Sequence, residues 1–166
     1  MSEALTAALI EVERFVGRSG WDQPARLFAL VRTEELIASE PGLAEHLSGA
    51  LPDGFTSIEQ EEFSAGADLG LTLAGIAWPM TVAGCALALE RVFVPPDVEP
   101  ELPDDPAEAA RVVAGHPRRI DLRVVVGVTR DGARHGVARV RGNEGELVGG
   151  ADLVPALADS LARTLE

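Results

Sequence analysis

Four arginines carry the clearest chemical pattern in this chain. Arg119, Arg123, Arg139 and Arg141 lie on two extended runs that flank Arg130-Asp131-Gly132, and all four share one alternation phase. Guanidinium groups gathered on one side of a hairpin make forked contacts to carboxylates and phosphates. The pattern therefore points to a site for an acidic protein partner or a small anionic ligand. Only Asp121 stands among them. The competing reading is a face neutralised from inside the same chain. Residues 1–108 hold 5 Arg against 20 acidic residues, whereas residues 109–166 hold 9 Arg against 7. Glu59 or Glu61 is a candidate internal partner.

Catalytic patterns are sparser. His116 before Pro117 and His135 on the second run could act as an acid or base, but no nucleophile is tied to either. Cys85 lies within the apolar run Val82–Leu89, where a thiol is an inert packing residue. No Gly-x-Ser-x-Gly elbow occurs, and a chain without lysine has no phosphate-loop motif. His46, His116 and His135 are too scattered to form a helical metal pair, and one cysteine excludes the common zinc frames. Gly149-Gly150 reads as a turn rather than an anion cradle. The acidic stretch from Asp97 to Asp105 reads as solvated rather than calcium-binding. No metal and no cofactor is expected. The expected function is a non-enzymatic binding or adaptor module, with a small enzyme using His116 or His135 as the rival.

These residues need a scaffold. Leu5, Ala8, Leu9, Val12 and Val16 recur at helical spacing and predict an amphipathic helix over 3–17, with Glu3, Glu11, Glu13 and Arg14 off the apolar stripe. Ser2 or Thr6 caps it, and Gly17 and Gly20 end it. Arg26–Val31 is apolar on both alternating faces and predicts a covered strand. Thr33 opens a helix as its hydroxyl cap, with acids in the first turn. The helix breaks at Pro41-Gly42 and resumes to Leu47. Pro52-Asp53-Gly54 is a turn, and Phe55–Glu62 a strand near a sheet edge. Residues 63–78 fit strand or helix, and a short helix is favoured. Residues 80–94 read as a central strand.

Residues 95–105 form an acidic, proline-rich loop, and a helix over 106–114 starts from Asp105 and Pro106. The hairpin over 119–141 has a derivable register. A three-residue loop, Arg130-Asp131-Gly132, puts Leu122 opposite Val140, Val124 opposite Ala138 and Val126 opposite Gly136. It also puts Arg123 opposite Arg139, on the other face. A two-residue turn would mix core with charge. A short strand at Glu146–Val148 follows, then a helix over 152–165 capped by Asp152. The sum is one α+β domain over residues 1–166, an antiparallel sheet of about five to six strands with helices packed mainly on one side. The element order is similar to that of small secretion-chaperone-like domains.

The whole composition sets the outer bounds. The chain has 166 residues, is 46% hydrophobic and carries a formal charge of −13. That is a globular composition. The negative balance disfavours nucleic acid and anionic lipid. No apolar run approaches the ~20 residues of a membrane span, and the start lacks a basic leader region. One cysteine forms no internal disulfide, so a cytoplasmic protein is expected. A partner protein, a small anion or a second copy of the chain remain open as partners. The segments Gly20-Trp21-Asp22-Gln23-Pro24, Ala77-Trp78-Pro79, Glu90-Arg91, Pro95-Pro96, His116-Pro117, Arg130-Asp131-Gly132 and Asp152-Leu153-Val154-Pro155 together resemble an uncharacterised actinobacterial protein family of unknown function. The abundant arginine without lysine suits a GC-rich genome. The resemblance implies a cytosolic protein and assigns no catalytic residue.

Overall fold

The segments that are apolar on both alternating faces become the middle of one sheet. A computed structural model describes residues 3–43, 54–64, 66, 68–94, 97–150 and 153–166. Six strands, β1 (Arg26–Arg32), β2 (Phe55–Glu59), β3 (Gly84–Phe93), β4 (Ile120–Thr129), β5 (Arg134–Val140) and β6 (Asn143–Gly150), form a single sheet in the order β2-β1-β3-β4-β5-β6. Every neighbouring pair is antiparallel. The described helices are α1 (Glu3–Gly17), α2 (Thr33–Ser39), α3 (Leu69–Ala74), α4 (Pro106–Gly115) and α5 (Pro155–Thr164). The expected α+β class is observed.

The helices do not gather mainly on one side. α1 lays Leu5, Leu9, Val12 and Val16 on Phe28, Leu30, Ala86, Ala88, Val125 and Val137. α3 and α5 cover the opposite face, packing Leu73, Leu157 and Leu161 on Leu27, Cys85, Leu87, Val124 and Val126. The cause is in the strands. β1, β3 and β4 are apolar in both phases, so each face must be removed from water. α4 buries none of its residues.

The hairpin forms in the derived register. Leu122 faces Val140, Val124 faces Ala138, Val126 faces Gly136, and Arg123 faces Arg139. The Thr129 N–H donates to the Ala133 carbonyl at 2.9 Å, and Gly132 takes φ +93°, a conformation that side chains with a Cβ resist. Toward the other edge of the sheet, Arg26 grips the Glu59 carboxylate through two 2.7 Å hydrogen bonds. This contact holds the Glu59 carboxyl below its ordinary range.

Several ends differ from expectation. β2 stops at Glu59 because residues 60–63 turn, with the Phe63 N–H bonded to the Gln60 carbonyl at 3.0 Å. It is an edge strand, as expected. Residues 69–74 are helical, and the Asp68 carboxylate caps them by accepting from the Leu71 N–H at 3.0 Å. Thr33 is not a cap: Arg32 holds that position, and the buried Thr33 hydroxyl pairs with that of Thr56 at 2.9 Å. β6 is longer than Glu146–Val148. The Ser2 cap, the helical stretch to Leu47 and the turn at Pro52-Asp53 lie outside the described residues, as does His46. α5 starts at Pro155 rather than at 152, with Val154 instead of Asp152 in the cap position and no side-chain cap bond. Of the acidic loop, residues 97–105 are described: Arg118 pairs with Asp97 at 2.6 Å and Val98 is buried.

Candidate functional site

The four arginines do share one face, and α1 sits on half of it. Glu13 lies between Leu9 and Val16 on the buried stripe of α1 and is 1% exposed. Its carboxylate takes Arg123 Nη1 at 3.0 Å on one oxygen and Arg139 Nη2 at 2.6 Å on the other. One carboxylate thus offsets the repulsion between two guanidinium groups that the register sets opposite one another. Arg123 is 3% exposed. Its second Nη donates to the Gly20 carbonyl at 2.5 Å, and its guanidinium lies 4.4 Å above the Trp21 ring. A Cβ at Gly17 would stand 3.1 Å from Arg123 Nη1, so a side chain there would have to displace the guanidinium by a few tenths of an ångström. The sequence offered Glu59 and Glu61 as neutralising acids. The acid in place is Glu13, and the legible signal was a glutamate four residues after Leu9 in the apolar stripe.

Arg119 and Arg141 remain nearer solvent. Arg141 pairs with Asp22 at 3.1 Å and lies 5.5 Å from the Trp21 ring, while Arg119 stands 3.6 Å from Asp121. The hollow beside them is lined by Asp22, Glu90 and Asp121 as well as Arg91, Arg119 and Arg141. Its charges are mixed. Glu90 further accepts from the Asp22 and Gln23 N–H groups at 3.0 and 2.9 Å, which anchors the turn after α1 to β3.

Cys85, His116 and His135 are apart from one another. The Cys85 thiol is buried, 3.5 Å from the Thr164 hydroxyl, and burial pushes its pKa up to about 11. His116 accepts the Arg118 N–H on Nδ1 at 3.0 Å, and His135 on β5 packs beside Gly149 of β6. Among the described residues no group of three or more His, Cys, Asp or Glu is placed to hold a metal ion.

An apolar concavity lies elsewhere, on the face covered by α3 and α5. β1 forms its floor with Leu27, Ala29 and Val31. Ile58 on β2 and Phe63 beyond it form one wall, and Ile76, Trp78 and Pro79 form the other. The volume is about 640 Å³, and among the described residues the only charged side chain in the lining is Glu62. Sequence reading missed this groove because its walls come from short connecting segments rather than from periodic elements.

Its second wall is tied down from behind. The Trp78 indole N–H donates to the Thr164 hydroxyl at 2.9 Å. Arg130, from the hairpin loop, donates to the Val82 carbonyl at 2.7 Å, to Trp78 and Pro79 at 3.2 and 2.9 Å, and to the Leu165 carbonyl at the end of α5. A cation at a helix C-terminus also meets the negative end of its dipole. Two of the segments that carry the resemblance, Ala77-Trp78-Pro79 and Arg130-Asp131-Gly132, thus meet at one groove wall.

No helix among the described residues is long and apolar enough to cross a membrane. No curated protein and no solved structure matches the chain. A family model described as PPA1309-like protein matches residues 5–166, and the chain belongs to that family.

Proposed function

We propose that this protein is a non-enzymatic binding or adaptor module of the cytosol and that the groove over β1 is its ligand site. The observation that carries the reading is an open, apolar concavity of about 640 Å³ whose wall is fixed by Arg130 and Thr164. Ligand sites have volumes of roughly 300–1,000 Å³, are mostly apolar, and are largely formed before the ligand arrives. A fixed wall lowers the ordering cost of binding. Neither His116 nor His135 lines the groove, so the rival enzymatic reading draws no support from it. The arginine face supports an anion site less well, because Arg123 and Arg139 already share Glu13.

A neutral solvatochromic dye, Nile red, tests this. Native protein is expected to bind it saturably with a rise in emission. Thr81 is exposed and lines the groove, so Thr81→Trp fills the space without touching the core and is expected to abolish most of that rise. Equal dye binding by native protein and this variant would overturn the assignment.

A further inference from the structure

The groove continues past Val31. A second hollow of about 600 Å³ is lined by Val31, Glu35, Leu36, Ala38, Ser39 and Thr81, sharing Val31 and Thr81 with the first. Together they run along β1 from Leu27 to α2. Leu27 to Val31 alone covers about 13 Å at ~3.3 Å per residue. The floor residues Leu27, Ala29 and Val31 repeat with period two. That is the spacing at which an extended polypeptide presents successive side chains to one side.

The charged side chains that line this channel among the described residues, Glu62 and Glu35, are both acidic, and Arg130 is spent on backbone carbonyls behind the wall. Glu62 lies toward the Leu27 end, where the Gln60 N–H donates to the Leu27 carbonyl at 2.8 Å and starts the turn that carries it. Glu35 lines the α2 end. Both are exposed. The ion pairs among the described residues engage Glu13, Asp22, Glu59, Asp97, Asp121 and Asp159 instead. Among the described residues no arginine or histidine lines either hollow. With a formal charge of −13, the whole molecule adds to the same field.

We infer that the occupant is an extended segment of a partner polypeptide, with apolar side chains at alternate positions and a Lys or Arg toward each end. This rests on reading the groove as a ligand site. The apolar side chains enter against Val31, Ile58 and Trp78, above the buried Leu27 and Ala29, and the flanking cations meet Glu35 and Glu62. An acidic segment would meet like charge at both ends.

The test is fluorescence anisotropy with labelled acetyl-Lys-Leu-Ser-Leu-Lys-amide, its Glu-flanked analogue and its neutral Gln-flanked analogue, alongside Nile red. The Lys-flanked peptide is expected to bind best and to weaken as salt is raised. Glu35→Gln and Glu62→Gln are each expected to weaken it about two- to fivefold, the range of an exposed ion pair, while leaving Nile red binding unchanged. If Nile red binds and is lost in Thr81→Trp, yet the three peptides bind equally or not at all, the partner chemistry is wrong and the groove assignment stands. If neither dye nor peptide binds, both fail together. The comparison among the three peptides uses the unmodified protein, so it does not depend on how a variant folds.

Discussion

Glu13 is the residue on which the arginine face depends. It is buried, and it satisfies two guanidinium groups on neighbouring strands. Removing one partner of a buried ion pair leaves charge stranded at low dielectric, at a cost of about 3–5 kcal/mol. Glu13→Gln is therefore expected to lower unfolding stability by about that amount in denaturant titration. A loss below about 1 kcal/mol would show that the arginines reach water or another acid. Cys85 gives a second prediction at this scale. Desolvation holds its thiol neutral, with a pKa of about 11, and so modification by a thiol reagent at pH 8 is expected to await unfolding. Rapid labelling of the native protein would contradict the burial. The raised pKa has a defined sign. Its contribution to stability is complete below the unfolded thiol pKa of about 8.5 and is lost as pH rises through about 11. The arginine positions, the inert cysteine and the repulsion between Arg123 and Arg139 were legible in the sequence. Glu13 was not separated from the other acids of its helix, because its identity is polar while its position belongs to the apolar stripe.

Elements were more legible where one rule dominates. The hairpin register followed from requiring charge and core to occupy separate faces, since a one-residue slip exchanges them. The same logic misjudged the layers: two-faced apolar strands imply two coats of helix, and α1 supplies the second. Helix starts were less legible, because a hydroxyl or carboxylate before a helix has other partners to choose from. Thr33 chooses Thr56, and Asp105 makes no side-chain cap bond. The seat of α1 is tight at Gly127, where a Cβ would come 2.5 Å from Leu9 Cδ2 and 3.2 Å from Leu5 Cδ1. Gly127→Ala is expected to push α1 from the sheet and cost about 1–3 kcal/mol, read from a shifted thermal midpoint. An unchanged midpoint would mean that the two leucines repack freely.

At the scale of the whole molecule, the two faces of the sheet divide the work. One face closes over Glu13 and the arginines, so its charge is largely spent within the chain. The other stays open between α2, β2 and the Trp78-Pro79 wall, where apolar surface meets solvent. Such a groove is built from connections whose positions depend on the completed sheet. Composition and periodicity describe the sheet and are silent on the space beside it. The central claim is that this groove is where the protein binds its ligand. Backbone amide chemical-shift mapping, with the Lys-flanked peptide titrated into isotope-labelled protein, tests it most directly. Shifts concentrated at residues 27–31, 58–63 and 75–82 are the predicted result. Shifts centred instead on Arg119, Asp121 and Arg141, with the groove unmoved, would contradict it.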